Sequence, residues 1–220
     1  MAATKTKTGT KKDVRSVIVE GYMNYVLEHE RKPSSIYKFC KSISVEEVDF
    51  YAQFGSVNSL EKLIWSDFVH HTVGMLKKSK EYDAYASREK LLTFYYTLFE
   101  LLGANRSYVL FSLNQHKNEL KNISQLSELR KAFKSYLDEI KDEDPPSNQF
   151  REFTDKALME GAWLQLLMIL KFWIDDMSPS FEKTDVLIEK SINTTFDVLD
   201  RTPLDGVVDL AKFLFKEKMN

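Results

Sequence analysis

The feature that most constrains the fold is a helix-turn-helix pattern in residues 34–60, which read SSIYKFCKSISVEEVDFYAQFGSVNSL. Apolar residues recur at helical spacing in two short runs. The first run is Ile36, Phe39, Cys40 and Ile43, and the second is Val45, Val48, Phe50, Tyr51 and Phe54. This spacing predicts two short helices joined by a tight turn. Such a motif can place its second helix in the major groove of DNA while its first helix crosses the backbone.

The same residues resemble the N-terminal domain of the TetR family of bacterial regulators. The residues that carry the resemblance occur at matching offsets without a gap, and they are Ser34, Ser35, Ile36, Phe39, Cys40, Phe50, Tyr51, Phe54, Ser56 and Leu60. The resemblance implies an all-α, TetR-like fold, with a three-helix helix-turn-helix head followed by a larger helical body. We therefore predict a DNA-binding-like domain with a basic arm in residues 1–60, and a ligand-binding and dimerisation domain in residues 61–220.

The resemblance also implies which residues contact DNA, namely Ser35, Lys38, Glu47, Val48, Asp49, Tyr51 and Gln53. The chain departs from the family at Ser44, where members usually carry Gly, and at Val57, where they usually carry Lys. It is also acidic at Glu46, Glu47 and Asp49. Carboxylates repel phosphate, because nonspecific affinity comes from Lys and Arg that displace counterions. Alternatively, these acids stabilise the helix N-terminus or accept a hydrogen bond from cytosine N4.

The charge of the predicted head is small. Residues 1–60 contain nine Lys and Arg against seven Asp and Glu, so the difference is +2, while the whole chain carries −2. Four of the basic residues lie in the N-terminal arm, at Lys5, Lys7, Lys11 and Lys12. Such an arm can reach the minor groove or its phosphates. The alternative is a solubilising tail.

Composition favours a helical protein of the reducing cytoplasm. Apolar residues make up 43% of the chain, and there are only seven Gly and five Pro. The single cysteine, Cys40, is expected to be a buried packing residue rather than a redox thiol. His70 and His71 are adjacent, unlike the i, i+4 pair of a helical zinc site. We therefore predict no enzyme activity, no cofactor, no metal site and a cytoplasmic location.

The body is predicted to contain a ligand site for an apolar or lipid-like small molecule. Helical periodicity predicts long helices near residues 87–102, 123–140, 150–175 and 181–199. The side chains expected to line the ligand site are Phe94, Tyr95, Phe99, Tyr108, Phe111, Met159 and Trp163. Ligand pockets are mostly apolar with a few polar groups. The alternative is that these residues fill the core.

The last two long helices are predicted to form a homodimer, as the resemblance implies. The residues expected at the interface are Trp163, Leu167, Leu170, Ile188, Ile192 and Phe196. They offer more apolar surface than one small body needs, and a twofold dimer is the commonest oligomer. The alternative is that they form a core within one chain.

The C-terminal residues 203–218 form a pattern that is apolar over most of a helical wheel. A helix of this kind docks in a groove, swaps onto a partner subunit or makes peripheral contact with a membrane surface. Residues 163–184 are also similar to TetR-fold ubiquinone-biosynthesis accessory proteins, which bind lipids and have lost DNA binding. We predict a TetR-type transcriptional regulator whose binding to an operator in double-stranded DNA is controlled by an apolar small molecule in the C-terminal domain. The alternative is such an accessory protein, which binds a quinone or fatty ligand and has lost DNA binding.

Overall fold

A computed structural model describes residues 13–114, 124–141 and 149–201, with the side chains of residues 149–155 and 199–201 excepted. Within these residues there are nine α-helices and no strand, which confirms the predicted all-α fold. The helices are α1 (Val14–His29), α2 (Ile36–Ser42), α3 (Glu47–Gln53), α4 (Val57–Leu76), α5 (Ser87–Ala104), α6 (Arg106–Leu113), α7 (Ser127–Ile140), α8 (Gln149–Asp175) and α9 (Glu182–Arg201). Short 3₁₀ turns precede α5 and α9.

The chain divides into two compact units. The first comprises Met1–Trp65 and Asn105–Ser127, and the second comprises Ser66–Ala104 and Glu128–Asn220. The division therefore falls within α4. The predicted domains 1–60 and 61–220 differ from these units mainly in α6, which groups with the head. The predicted basic arm and the predicted helix 203–218 lie outside the described residues.

The first unit is built around α1, which packs against α3 and α6. Helix α1 ends where Glu30 adopts a left-handed conformation at φ 52°, three residues before Pro33. Close packing also explains Gly21, because a Cβ at this position would lie 2.7 Å from Cγ2 of Ile43. Glycine therefore lets the turn after α2 approach α1.

The second unit has an aromatic core between α5 and α7. The ring of Phe94 stacks on Tyr136 with centroids 4.3 Å apart and on Phe133 at 5.6 Å. The hydroxyls of Tyr82 and Tyr136 lie 2.8 Å apart, and that of Tyr136 also donates to the carbonyl of Lys90. The predicted central helix at 87–102 is thus confirmed as α5, with one face made of buried rings.

Helices α8 and α9 form an antiparallel pair whose connection is organised by one carboxylate. One oxygen of Asp176 accepts from the backbone N–H and hydroxyl of Ser178, and the other accepts from the N–H and hydroxyl of Thr184. These bonds, from Ser178 and from Thr184, hold the pKa of the Asp176 carboxyl well below its usual range. Residues 176–184 therefore contain the side chains that cap the start of α9.

Candidate functional site

The first unit contains two short helices, α2 and α3, joined by a turn at the positions where the sequence predicts them. The hydroxyl of Ser35 caps α2 by accepting from the backbone N–H of Lys38 at 3.4 Å. After α2, Ser44 adopts the left-handed conformation with φ 56°. Glycine is the usual residue in that conformation because it has no Cβ. Ser44 thus adopts the conformation that glycine favours, at the position where the resembled family usually carries glycine.

Helix α3 presents a mixed surface to solvent. Its inner side is anchored by Phe50, which is fully buried and packs edge-to-face on Phe39 with ring centroids 6.3 Å apart. On its outer side, Val48 is 73% exposed and Tyr51 is 52% exposed. The predicted contact residues Lys38, Asp49 and Gln53 are also exposed, whereas Glu47 and the capping Ser35 are half-buried. This helix therefore offers an aliphatic, a phenolic and an acidic group on one surface.

The acidic residues lie at the N-terminal end of α3, as predicted. Glu46 is the N-cap residue, but its side chain makes no capping hydrogen bond, and Glu47 and Asp49 lie in the first turn. Carboxylates in the first turn stabilise a helix through its dipole. Burial raises the pKa of the nearby Cys40 thiol, and the negative charge of Glu47 raises it further. Cys40 itself is buried, which agrees with the predicted packing role.

Two exposed residues of α2 were not among the predicted contacts. Tyr37 is largely exposed, and Lys41 is exposed one turn further along the helix. Together with Lys38 and Tyr51, they add a phenol and an ammonium group to the surface of the motif. The signal that could have found them is their position on the helical face opposite Phe39 and Cys40.

A buried carboxylate connects three parts of the first unit, and sequence reasoning missed it. Glu61 of α4 is fully buried. It accepts hydrogen bonds from the hydroxyl of Tyr22 at 2.6 Å, from Nζ of Lys32 at 2.5 Å and from Nε2 of Gln125 at 3.3 Å. Burial, together with the Glu61 charge, raises the pKa of Tyr22. The network joins α1, the α1–α2 connection and the segment before α7 through one side chain.

Two of the predicted ligand residues belong to the first unit. Tyr108 is fully buried and Phe111 is half-buried, both on α6. The charge of Glu61 contributes to raising the pKa of Tyr108, although burial is the larger cause. The other predicted ligand residues lie in the second unit. The predicted set is therefore divided between two compact units.

Within the second unit, most of the predicted ligand residues lie in the aromatic core. Phe94 and Tyr95 are fully buried, and Tyr95 stacks on Phe99 with ring centroids 6.3 Å apart. Burial raises the pKa of Tyr95, whose hydroxyl has no hydrogen-bond partner among the described residues. Trp163 is buried beneath the guanidinium of Arg130, which lies 5.8 Å from the ring centroid. A role for these side chains in ligand binding stays a prediction.

The second unit contains an apolar groove of about 980 Å³, lined by α8 and α9 and by the ends of α5 and α7. Of the predicted ligand residues, it contains Met159. Its lining side chains are Ser87, Leu91, Leu137, Ile140, Lys141, Ala157, Leu158, Met159, Gly161, Ala162, Leu164, Gln165, Met168, Leu187, Lys190, Ser191, Thr194, Thr195 and Phe196. We call this space the α8–α9 groove. Phe99 instead borders a smaller pocket of about 420 Å³.

The predicted dimer residues are mostly buried within the single chain. Trp163, Leu170, Ile188 and Ile192 are buried, and Leu167 and Phe196 are half-buried. The apolar side chains that α8 exposes instead are Leu158 at 39%, Leu164 at 63%, Met168 at 50% and Phe172 at 40%. We call these four residues the α8 row. Their spacing places them along one side of the helix, where a second molecule could cover them.

One stretch among the described residues, Lys156–Asp175, is long and apolar enough to span a membrane by length and composition. It coincides with α8, whose Leu166, Ile169 and Trp173 are buried against the rest of the second unit. This single stretch is therefore weak evidence for a span. In the same described ranges, no group of three His, Cys, Asp or Glu side chains is arranged to hold a metal ion. His70 and His71 are both exposed.

Comparison with known proteins places the chain in a family. The family model for the tetracycline repressor-like C-terminal domain matches residues 90–214, which is more than half of the 220-residue chain. The match covers α6 to α9 and most of α5. No curated protein matches the chain. Together with the helical fold, the match shows that the chain belongs to the tetracycline repressor-like family of regulators.

Proposed function

We propose that this protein is a homodimeric transcriptional regulator that binds double-stranded DNA through α3 and responds to an apolar small molecule in the α8–α9 groove. The observation that carries the proposal is the pair of short helices α2 and α3, joined by a turn, in a chain whose C-terminal part matches the regulator family. The protein acts in the cytoplasm without a catalytic step. Family membership supports a soluble regulator, and the specific partners are part of the proposal.

The DNA-binding part of the proposal is supported by the side chains that the motif exposes. Lys38 and Tyr51 can donate hydrogen bonds to phosphate oxygens, which fix the register of a protein on DNA. Gln53 can donate to and accept from a base edge, and the methyl groups of Val48 can contact a thymine methyl. Asp49 can accept from cytosine N4. The surface thus combines positioning groups with groups that distinguish bases.

The dimer part of the proposal is supported by the α8 row. Four large apolar side chains are exposed along one helix, and such rows mark contact surfaces. The proposal keeps helices α8 and α9 at the interface. The side chains that a partner can contact are Leu164, Met168 and Phe172, because Trp163 and Ile192 are buried within the chain. A twofold pairing of this row would bury it in both copies.

The ligand part of the proposal is supported by overlap between the groove and the row. Leu158, Leu164 and Met168 belong to both. A ligand in the groove would therefore alter the side chains on which the dimer packs. Differential binding to two dimer geometries would shift their populations and change the separation of the two DNA-binding units.

The test is binding of the purified protein to DNA from its own promoter region, measured by fluorescence anisotropy at several salt concentrations. We expect binding that exceeds binding to a shuffled fragment of equal length. Removing Tyr51 and Lys38 together, as Tyr51→Phe and Lys38→Ala, should weaken promoter binding at least tenfold, since each phosphate contact contributes to affinity. Lys131→Ala, at an exposed position of α7 in the second unit, serves as the matched loss of one charge. Equal promoter and shuffled binding would refute DNA recognition.

A second candidate function is a TetR-fold lipid-binding accessory protein that has lost DNA binding. The observation that favours it is the acidic first turn of α3, which contains Glu47 and Asp49. If α3 approached DNA, these carboxylates would repel the phosphates. A lipid-binding accessory protein should bind lipid and DNA to the same extent after the double substitution Glu47→Gln and Asp49→Asn. The regulator instead predicts that this pair raises nonspecific DNA affinity or alters specificity. The same anisotropy titration separates the two.

A further inference from the structure

Among the described residues, the charged groups that line the α8–α9 groove have one sign. The ionisable side chains of this described lining are Lys141 and Lys190, and it contains neither Asp nor Glu. Nζ of Lys141 lies 2.9 Å from a carboxylate oxygen of Asp138. Lys190 makes no ion pair with a residue in the described ranges. The ammonium group of Lys190 is therefore available to pair with an anionic group of a ligand in the groove.

Most of the hydroxyl groups that line the groove already donate hydrogen bonds to backbone carbonyls. Oγ of Ser191 donates to the carbonyl of Ile188 at 3.2 Å, and Oγ1 of Thr195 donates to the carbonyl of Ser191 at 2.9 Å. The Thr195 hydroxyl also accepts from Gln165 at 3.2 Å. At the other end, Ser87 donates to the carbonyl of Ile140 at 2.6 Å. A ligand would meet mainly methyl and methylene groups along these walls.

The groove is also elongated. On α8 it extends from Ala157 to Met168, which is roughly 16 Å at about 1.5 Å per residue. On α9 it extends from Leu187 to Phe196, which is roughly 13 Å by the same rise. A flexible chain fits these dimensions better than a rounded ligand.

We propose that the α8–α9 groove binds a long-chain carboxylate, with its alkyl chain along α8 and its carboxylate on the ammonium of Lys190. The inference rests on the proposed function for the groove and names the class of its ligand. Apolar burial supplies most of the affinity, and the ion pair selects the sign of the head group. Because Lys190 is exposed, the ion pair contributes less than the chain.

The experiment is calorimetric titration below the micelle concentration with decanoate, dodecanoate and tetradecanoate, and with dodecan-1-ol and dodecyltrimethylammonium as matched head groups. Affinity should rise roughly fourfold per methylene, as expected for burial of about 0.8 kcal/mol each. Dodecanoate should bind several-fold more tightly than the alcohol, and the ammonium compound should bind most weakly. Lys190→Gln should abolish the preference for carboxylate over alcohol. Lys183→Gln, on the same helix but outside the groove, should leave it unchanged.

A second pair of variants tests the location. Gly161 lines the groove and a Cβ there would meet no atom within 4 Å, so Gly161→Leu should fold and partly fill the groove. It should weaken dodecanoate binding at least tenfold. Gly74→Leu is the control, since Gly74 has the same open surroundings on α4 and lies outside the groove.

The outcomes separate this inference from the proposed function. If dodecan-1-ol binds as tightly as dodecanoate and Lys190→Gln has no effect, the carboxylate inference is wrong and an apolar ligand site remains. If no probe binds, or if Gly161→Leu binds as well as the native protein, the groove is not the ligand site. In that case the ligand part of the proposed function fails as well.

Discussion

The two units of this protein differ in what lies around one buried side chain of each, Glu61 and Phe94. The first unit places a carboxylate, Glu61, at its centre and surrounds it with three donors from distant parts of the chain. The second unit buries rings against rings around Phe94 and leaves a large apolar groove beside them. A directional network fixes geometry, whereas an apolar wall provides adaptable space. This difference agrees with the proposed roles, in which the first unit presents a DNA-binding surface and the second holds an apolar ligand.

The largest expected effect is the loss of folding when a charge is placed on the buried side of the α8–α9 pair rather than on its exposed side. Ile192→Glu places a charge at a fully buried position of the second unit, which costs several kcal/mol and should prevent folding. Phe172→Glu changes an exposed member of the α8 row and lies outside the groove, so the fold should survive. We expect Phe172→Glu to behave as a 25.7 kDa monomer in light scattering. A folded Ile192→Glu, or a dimeric Phe172→Glu, would contradict this division of the helix pair.

Removing the centre of the first unit should have the next largest effect. Glu61→Ala leaves the hydroxyl of Tyr22 and the amide of Gln125 without their acceptor and breaks the pair with Lys32. Loss of one partner from such a buried pair lowers the free energy of unfolding by about 3 kcal/mol. Glu61→Gln keeps an acceptor and should cost less, roughly 1–2 kcal/mol. Urea unfolding at equal protein concentration measures both, and a cost for Glu61→Ala no larger than for Glu61→Gln would show that the network is dispensable.

The cap between α8 and α9 should have a smaller effect that depends on pH. The pKa of Asp176 is lower in the folded chain than the unfolded value of about 3.9. Its ionised form therefore stabilises the fold above that pH, and the stabilisation disappears as the pH falls through the lower, folded pKa. Asp176→Asn should be less stable than the native protein at pH 7, by less than Glu61→Ala. The difference should shrink below about pH 3.9 in thermal unfolding, and a constant difference would contradict the role of the charge.

The smallest expected effect concerns two helical glycines, one in each unit. Gly74 has open space around its missing Cβ, so Gly74→Ala should raise the free energy of unfolding by up to about 1 kcal/mol through helix propensity. Gly21→Ala should lower it instead, because the new Cβ would lie 2.7 Å from Cγ2 of Ile43. Denaturant unfolding of the two variants gives the sign directly. Stabilisation by both would mean that α1 and the turn are loosely packed.

Much of the first unit could be predicted from local patterns. The apolar spacing that contains Phe39, Phe50 and Phe54 specifies helices and a turn within a short stretch, and the structure buries all three rings. Glu61 could not be found in this way, because a glutamate in a helix usually marks an exposed face. Its partners Lys32 and Gln125 lie 29 and 64 residues away. Only the tertiary fold brings them together.

The sequence predicts an apolar ligand site, and of its predicted side chains only Met159 lines the α8–α9 groove. Rings such as Phe94 and Tyr95 pack on one another in the core instead. The lining instead includes small residues such as Gly161, Ala162 and Thr194. Small side chains leave space, whereas large ones fill it. Periodicity identifies which residues are apolar, but it does not reveal where packing stops.

The central claim is that a ligand in the second unit controls DNA binding by the first. Fluorescence anisotropy of the protein's own promoter fragment, with and without saturating dodecanoate, tests it most directly. Linkage requires that the ligand and the DNA change each other's affinity by the same factor, and we expect a change of roughly fivefold or more. Gly161→Leu should lose this response while it still binds the fragment. Promoter binding that is identical with and without a ligand bound in the groove would contradict the account.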